Sequence, residues 1–390
     1  MHKVRTYNAI SVEGLNRFPR EEYEVASEIT NPDAILLRSH VLSADDIGET
    51  VAAIGRAGAG TNNVPVAACT DLGIPVFNAP GANANAVKEL VLTGMLLSSR
   101  GIVNGINYVN TLTDMTDDAE MATLLEGEKK RFKGGEIKGK TLGVVGLGAI
   151  GSMVAEMALM LGMKVVGFDP ALSVDAAWRL PSEVKRMENL QSLFAKSDFI
   201  TLHLPMLDAT RHLINKDVLA SAKEGARLLN FAREGIVDQD AVVDALDNGK
   251  LERFITDFPT PALLNRDDVI PMPHIGASTA EAEDNCAIMV VDQLKDFLVN
   301  GNVKNSVNFP ATELDRQSDV RLSISNSNKP KALSNILNLL ADANINVVDM
   351  INKSRGETAY NLIDISEMPS DEVLEQIRTT EGVIKLRVLA

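Results

Sequence analysis

The sequence from Thr141 to Asp169 reads TLGVVGLGAIGSMVAEMALMLGMKVVGFD. Its apolar runs predict a strand over residues 141–145, a helix over 152–161 and a second strand over 164–168. The glycines between the first strand and the helix, Gly146, Gly148 and Gly151, follow the pattern G-x-G-x-x-G. Strand, glycine turn, helix and strand in this order predict a βαβ unit that binds a dinucleotide.

Each part of this unit has a separate role in holding the cofactor. The three glycines allow, in order, a tight turn, close approach of the backbone to a pyrophosphate, and close packing of helix on strand. Unpaired N–H groups near the helix start, around Ala149 and Ile150, attract an anion. Asp169, 18 residues after Gly151, can accept hydrogen bonds from ribose hydroxyls and repels a 2′-phosphate. The sequence therefore predicts NAD rather than NADP as the cofactor.

Composition limits the classes of function. The chain has 390 residues, 45% of them hydrophobic, which is enough for two or three domains with full cores. A formal net charge of -15 and the lack of a strongly basic patch argue against a nucleic-acid partner. The two cysteines, Cys69 and Cys286, exclude a disulfide framework and a four-cysteine zinc site, and no metal site is predicted. The first ten residues lack the apolar core of a signal peptide and no stretch reads as a membrane span, so a cytoplasmic protein is expected.

Strands and helices alternate on both sides of the glycine unit. Further strands are predicted at 34–37, 51–54, 75–77, 198–204, 226–230 and 254–256. Helices are predicted at 86–98, within 111–138 and at 280–299. This alternation is typical of parallel, doubly wound sheets.

The last seventy or so residues have a different pattern. After a connector at 300–310, the predicted order is strand, helix, strand, strand, helix, strand, at 321–325, 331–343, 346–353, 359–365, 370–378 and 383–388. This order predicts a ferredoxin-like βαββαβ module, with a hairpin turn within residues 352–357. Such a sheet has a free edge, which favours pairing with a second copy.

Four segments together resemble the D-2-hydroxyacid dehydrogenase family. They are the glycine motif at 146–151, NFAREGIVD at 230–238, TDF at 256–258 and PHIGAST at 273–279. The resemblance implies two Rossmann-like domains, a substrate domain of residues 1–90 with 281–310 and an inserted NAD domain of residues 91–280. It also implies that residues 318–390 form a regulatory domain of the ACT type.

The resemblance assigns the chemistry to two residues. His274 would take the hydroxyl proton, and Arg233 would bind the substrate carboxylate and polarise the 2-oxygen. The family's third catalytic residue, a glutamate that holds the histidine, is missing from the segment 256–265. We expect that another carboxylate or a water replaces it, or that the histidine ionises without such a partner. The remaining cofactor residues implied by the resemblance are His203, Asp257 and Gly276.

The substrate loops would lie in the N-terminal domain. Arg38 and Arg56 would bind a phosphate on C3 through charge-assisted hydrogen bonds. The other residues expected at the substrate are Ser39, Gly58, Gly60 and Asn62. Arg38, the glycine-rich loop that carries Asn62 and an ACT tail together favour oxidation of 3-phosphoglycerate to 3-phosphohydroxypyruvate.

The tail would have a regulatory site for L-serine. Asn328 and Asn346 match polar positions of that site, but Lys331 stands where relatives commonly have glycine, and Asn326 where some have histidine. A tail that only pairs subunits is therefore an alternative, and a homodimer or homotetramer is expected in either case. Two alternative functions also stay open. One is reduction of an unphosphorylated 2-oxo acid such as hydroxypyruvate or glyoxylate, and the other is NADH sensing without catalysis.

Overall fold

The computed structural model describes the backbone of residues 1–390 and every side chain except that of Asp175. The chain divides into two compact units, Met1–Asn83 with Thr279–Ala390, and Ala84–Ser278. The sequence prediction placed these two divisions at residues 90 and 280, and it made residues 318–390 a third domain, whereas here they belong to the first unit. No helix among the described residues combines the length and the apolar character needed to cross a membrane.

The strands and helices are numbered in chain order. Strands β1 to β16 are His2–Tyr7, Tyr23–Ala26, Ala34–Leu37, Ala53–Arg56, Val76–Phe77, Thr141–Val145, Lys164–Phe168, Lys185–Arg186, Phe199–Leu202, Ala226–Asn230, Leu251–Thr256, Val269–Pro271, Val320–Ser327, Val347–Arg355, Thr358–Ile365 and Val383–Leu389. Helices α1 to α13 are Val12–Leu15, Val66–Asp71, Ala84–Ser99, Ile102–Asn110, Asp118–Glu128, Ala149–Met160, Val174–Trp178, Leu190–Lys196, Lys216–Ala220, Gln239–Asp247, Ala280–Asn300, Ala332–Asp342 and Asp371–Arg378.

The second unit is built on a seven-stranded sheet in the order β12-β11-β10-β9-β6-β7-β8. Its neighbouring strands run parallel, as predicted for a doubly wound fold. The predicted strands at 141–145, 164–168 and 226–230 are confirmed to the residue. The sheet's central strands are buried on both faces, which explains why their sequences are continuous apolar runs without alternation.

Helix α6 begins three residues earlier than predicted. It starts at Ala149, so Gly151 lies inside the helix and not in the preceding turn. A Cβ on Gly151 would lie 1.9 Å from the carbonyl oxygen of Gly146. The close contact between helix and turn therefore requires glycine, which outweighs the roughly 1 kcal/mol that glycine costs within a helix.

The first unit contains a five-stranded parallel sheet in the order β2-β1-β3-β4-β5. Helix α11 packs on it, and a Cβ on Gly55 of β4 would lie 2.5 Å from Val290 of that helix. Strand β4 is displaced by two residues from the predicted 51–54, because its pairing with β3 begins at Ala53 opposite Ala34. Arg56 is consequently the last residue of a strand and not part of a loop.

The C-terminal residues of the first unit form the predicted βαββαβ order. Their antiparallel sheet has the order β14-β15-β13-β16. Side chains of β15 alternate between two cores. Ile363 and Ile365 join the core that includes helices α12 and α13, whereas Tyr360 and Leu362 pack with Phe297 and the rest of the core beneath α11. Both faces of this strand are therefore covered.

Polar bonds fix the C-terminal module to the end of α11. Arg387 donates to the carbonyl oxygens of Phe297 and Leu298 at 3.2 and 3.1 Å, and the Tyr360 hydroxyl donates to Gly301 O at 2.7 Å. Gly301 ends the helix with a φ of 73°. The last carbonyls of a helix lack N–H partners within it, and here Phe297 O accepts from Gly301 N as well as from Arg387. The module thus supplies additional donors to the end of α11.

Lys331 provides a test of backbone strain in this module. Its φ is 74°, a left-handed conformation that costs a non-glycine residue roughly 1–2 kcal/mol. We expect Lys331→Gly to raise the free energy of unfolding by about 0.5–1 kcal/mol, after allowing for the greater freedom of glycine in the unfolded chain. Urea unfolding followed by circular dichroism measures this. The matched control is Lys329→Gly, two residues earlier, where φ is not positive. This change should not raise the free energy of unfolding. Equal effects of the two changes would show that left-handed strain is not the cause.

Candidate functional site

The carboxyl ends of six neighbouring strands lie level along one edge of the seven-stranded sheet. The paired residues at this edge are, from β12 to β7, Pro271, Thr256, Asn230, Leu202, Val145 and Phe168. Every predicted cofactor or catalytic residue of this unit follows one of these strand ends. The order along the edge is His274, Asp257, Arg233, His203, the glycine turn and Asp169. With strands about 4.8 Å apart, this edge extends over roughly 24 Å. In parallel α/β sheets it is the edge at which ligands bind.

The glycine turn has the geometry that a dinucleotide requires. Gly146 has a φ of 89°, and a Cβ there would lie 2.5 Å from the backbone oxygen of His203. Gly148 is different, because nothing of the protein lies within 4 Å of the position of its Cβ. Open space beside Gly148, at the first turn of α6, leaves room for a pyrophosphate near the N–H groups of Ala149 and Ile150. These residues therefore fit the predicted cofactor.

Asp169 is held against the glycine turn. Its carboxylate accepts hydrogen bonds from the N–H groups of Leu147 and Ala171, at 2.8 and 2.9 Å. Each carboxylate oxygen retains a lone pair after these bonds. The side chain is therefore fixed at the end of β7 and can still accept bonds from ribose hydroxyls.

Along this edge, His203 lies between Arg233 and the glycine turn. Its Nε2 is 2.9 Å from the Thr201 hydroxyl, and burial lowers the pKa of His203 to about 3. The imidazole is therefore neutral at physiological pH. A neutral ring beside the turn suits a contact with an uncharged part of the cofactor.

His274 is in a strained and exposed position. Its φ is 56°, and its ring lies 4.8 Å from that of Phe258. Among the described residues of this unit, no carboxylate lies within ion-pair distance of the imidazole. Thr260, in the segment where the family glutamate is expected, bonds instead to Gln239. A carboxylate partner from this unit, one of the expected replacements for the glutamate, is therefore not found.

Asp257 determines the shape of the loop that holds His274. The side chain is 2% exposed, and its two oxygens accept hydrogen bonds from Ile275 N at 3.0 Å and Gly276 N at 2.7 Å. A Cβ on Gly276 would approach this carboxylate to 2.9 Å. A buried carboxylate that receives two N–H groups is a rigid anchor. The contact of Asp257 with the nicotinamide carboxamide stays a prediction; what the structure adds is its hold on the residues that follow His274.

Arg233 has the properties of an anion-binding residue. Its guanidinium donates to Ala232 O at 2.7 Å, and its own carbonyl accepts from the Asn230 amide at 2.9 Å. Among the described residues of this unit, no carboxylate lies within ion-pair distance of it. Burial lowers the pKa of the guanidinium, because desolvation disfavours the charge. A half-buried cation without an internal anion is stabilised by a bound carboxylate.

The predicted substrate arginines come together in the first unit. Arg56 ends β4 opposite Leu37 of β3, and Arg38 follows Leu37 directly. The Arg56 guanidinium lies over Gly58, where a Cβ would be 1.6 Å from its Nη1. A side chain at position 58 would therefore displace the Arg56 guanidinium from this place. Gly60 and Ser39 lie on the same two loops, and Asn62 is exposed.

Sequence reasoning missed two asparagines that hold the Arg38 loop. Asn8 accepts from Ser39 N and His40 N at 3.2 and 2.6 Å, and Asn63 donates to the carbonyls of Arg38 and His40 at 3.0 and 2.7 Å. The Ser39 N–H is thus already used, which leaves its hydroxyl for a ligand. Asn8 directly follows β1, a strand that was not predicted, so its place at a strand end could not be used as a signal.

The two predicted regulatory asparagines have separate partners. Asn328 bonds to the turn between β14 and β15 through Gly356 O and Glu357 O, at 3.1 and 2.7 Å. Asn346 N donates to Ser366 Oγ at 3.2 Å. Their assignment to an effector site stays a prediction.

Comparisons with known proteins agree with this geometry. The family model described as "D-isomer specific 2-hydroxyacid dehydrogenase, NAD binding domain" matches residues 104–276. The hydroxypyruvate reductase of Thermotoga maritima is 38% identical over 299 residues, which cover 70% of this chain and 91% of that protein. The chain belongs to the D-isomer specific 2-hydroxyacid dehydrogenases. This 2-hydroxyacid dehydrogenase is an NAD-dependent enzyme, and the glycine turn described above is part of the matched NAD-binding region.

Two further relatives carry another activity in their names. The D-3-phosphoglycerate dehydrogenase of Methanocaldococcus jannaschii is 34% identical to this 2-hydroxyacid dehydrogenase over 356 residues, which cover 88% of the chain and 63% of the relative. The chain thus spans less than two thirds of that protein's length. The crystal structure of NAD+-bound 3-phosphoglycerate dehydrogenase from Entamoeba histolytica superposes with a TM-score of 0.62 at 26% sequence identity. The superposed region covers 79% of this chain and 98% of the Entamoeba chain.

Proposed function

We propose that this enzyme oxidises 3-phosphoglycerate to 3-phosphohydroxypyruvate with NAD, the first step of the phosphorylated route of serine biosynthesis. The observation that carries the proposal is the pair Arg38 and Arg56 at the ends of neighbouring strands β3 and β4. A substrate with a carboxylate alone has its partner in Arg233. A second group of two guanidiniums suits a phosphate at the other end of the substrate.

In this mechanism each residue has one task. The Arg233 fork binds the substrate carboxylate and draws electron density from the 2-oxygen. His274 accepts the proton of the C2 hydroxyl as the C2 hydrogen leaves as hydride. Bound NAD supplies the hydride acceptor. Asp257 keeps the loop after His274 in place through its two N–H partners, so that the imidazole needs little reorganisation.

A second candidate is reduction of hydroxypyruvate, supported by the 38% identity to the Thermotoga reductase. That similarity covers 70% of the chain. The similarity to the Methanocaldococcus protein covers 88% of 390 residues and so reaches at least about residue 340, well into the C-terminal module. The longer match favours phosphoglycerate. The third candidate, NADH sensing without catalysis, is disfavoured because Arg233 and His274 are both present. Neither forms an ion pair with a carboxylate of its own unit.

The C-terminal module is proposed to be an ACT regulatory domain, with L-serine as its ligand at Asn328 and Asn346. Pairing of subunits to a dimer or tetramer is proposed through α4 in the NAD-binding unit and through the module's sheet edge. Helix α4 has no buried residue, and Ile106 and Val109 are 55% and 44% exposed. A cytoplasmic location accompanies the proposal.

Arg38→Ala tests the proposed substrate. A charge-assisted hydrogen bond to phosphate contributes about 1.5–3 kcal/mol, so we expect KM for 3-phosphoglycerate to rise about 10- to 100-fold. KM for an unphosphorylated 2-hydroxy acid should change less than about twofold. Steady-state NADH production with both substrates measures the difference. Arg17→Ala is the control, because Arg17 pairs with Asp292 in the same unit and is half exposed. Equal losses on both substrates would contradict a phosphate role for Arg38.

A further inference from the structure

A carboxylate is already bonded to one of the two substrate arginines. Glu283 Oε1 lies 2.6 Å from Arg38 Nη2, and the two side chains are 39% and 36% exposed. The pair therefore faces solvent enough for a ligand to reach it. Nothing in the sequence motif at 273–279 or in the arginine loops predicts this residue, which belongs to a helix more than 240 positions away from Arg38.

Helix α11 holds Glu283 firmly at this place. Thr279 caps the helix by accepting from Ala282 N at 3.1 Å, so Glu283 lies in the first turn, where the helix dipole favours a negative charge. Two further contacts tie the same helix to the region of α1: Ser11 bonds to Asp284, and Arg17 to Asp292. The backbone that carries Glu283 is therefore held in place by contacts at several points along the helix.

The next turn of α11 carries a residue, Cys286, that senses the charges of both arginines and of Glu283. Cys286, one turn further along and 5% exposed, has a thiol whose pKa is raised mainly by burial; the charges of Arg56 and Arg38 lower it and that of Glu283 raises it. Arg56, Arg38 and Glu283 therefore all lie within electrostatic range of the Cys286 thiol. The carboxylate of Glu283 makes the Arg38 pair nearly neutral, where Arg38 alone would carry a charge of +1.

We propose that Glu283 is a specificity-determining residue that competes with the substrate's phosphate for Arg38. This inference rests on the proposed function. A phosphate monoester carries close to two negative charges at pH 7, so it is repelled by the carboxylate and must displace it from at least one N–H of Arg38. An acid without a phosphate has no such conflict. Glu283 therefore weakens binding of phosphorylated acids, and their phosphorylated products, without affecting smaller acids.

Glu283→Gln removes the negative charge of the side chain while nearly keeping its shape. The glutamine oxygen can still accept a hydrogen bond from Arg38, but the negative charge is gone. We expect KM for 3-phosphoglycerate, and the inhibition constant of inorganic phosphate as a competitor, to fall about three- to tenfold at low ionic strength. KM for an unphosphorylated 2-hydroxy acid should change less than about twofold. Asp292→Asn is the matched control, since it removes a carboxylate from an arginine pair on the same helix, away from Arg38.

The double variant Arg38→Ala/Glu283→Gln completes the test. If the carboxylate acts through Arg38, the gain from Glu283→Gln disappears in the Arg38→Ala background. A rise in KM for 3-phosphoglycerate in Glu283→Gln would overturn the inference, because it would show that the carboxylate only holds the arginine in place. An unchanged KM would overturn it as well. In both cases the parent enzyme still turns over 3-phosphoglycerate, whereas failure of the proposed function is recognised by the absence of that turnover in the parent.

Discussion

Replacing His274 by glutamine is expected to lower kcat for 2-hydroxy acid oxidation about a thousandfold, with the dissociation constant of NADH changed less than about twofold. The reason is that a positioned general base contributes roughly 10²- to 10⁴-fold to proton transfer, and glutamine cannot accept a proton at neutral pH. Except for Gly276, which follows the same strand as His274, the cofactor contacts predicted from the sequence lie at other strand ends, so binding of NADH should persist. Steady-state kinetics and a fluorescence titration with NADH provide the two measurements.

His212→Gln is the matched control for this change. His212 is also exposed and also left-handed, with a φ of 47° against 56° for His274, so the two substitutions alter backbone strain in the same way. The control should retain most of the parent's kcat. The pH profile adds a second criterion: the limb of kcat/KM that rises with pH should be missing from the residual activity of His274→Gln. A variant that kept that limb would show that another group is the base.

Replacing Arg233 by alanine is expected to lower kcat/KM at least a thousandfold for every 2-hydroxy acid, phosphorylated or not. Two parallel bonds to the carboxylate and the polarisation of the 2-oxygen are lost together, and both strengthen as charge develops on that oxygen. Arg233→Lys keeps the charge but loses the planar fork, so it should recover only part of the activity. Initial rates over a panel of acids measure the pattern.

The control for Arg233 is Arg253→Ala on the neighbouring strand β11, where the guanidinium donates to Asp267 O at 2.9 Å. It should leave kcat/KM near the parent value. The comparison with Arg38→Ala is equally informative, since that change should affect phosphorylated acids only. If Arg233→Ala discriminated between the two kinds of acid, the assignment of Arg233 to the carboxylate would be wrong.

Local signals explain how much of the fold was predictable from sequence. The strands at 141–145 and 164–168 are apolar runs bounded by glycine, lysine and aspartate, so their ends could be read directly. Strand β4 could not be read in this way, because Val51 and Ala52 before it are as buried as the strand itself. Burial there comes from tertiary packing, and the strand's true limits come from pairing with β3. Arg56 was therefore predicted in a loop.

The site was predictable only where a motif supplied it. Arg233, His274 and the glycine turn lie in segments with a recognisable pattern, and the structure places them on one sheet edge. Asn8, Asn63 and Glu283 were missed because their partners are 23 to 32 positions away for the two asparagines, and far more for Glu283. No periodicity or spacing encodes such contacts. The anchoring of the His274 loop by Asp257 was missed for the same reason.

The C-terminal module has a consequence for how this chain could change during evolution. Because Tyr360 and Leu362 cover the aromatic and aliphatic side chains under α11, deleting the module would expose Phe297, Phe309 and Val303 to water. Loss of the C-terminal module would thus leave a remainder with an apolar surface exposed to water. A shortened descendant would have to acquire polar replacements on that surface, or a new neighbour to shield it, before the deletion could be tolerated.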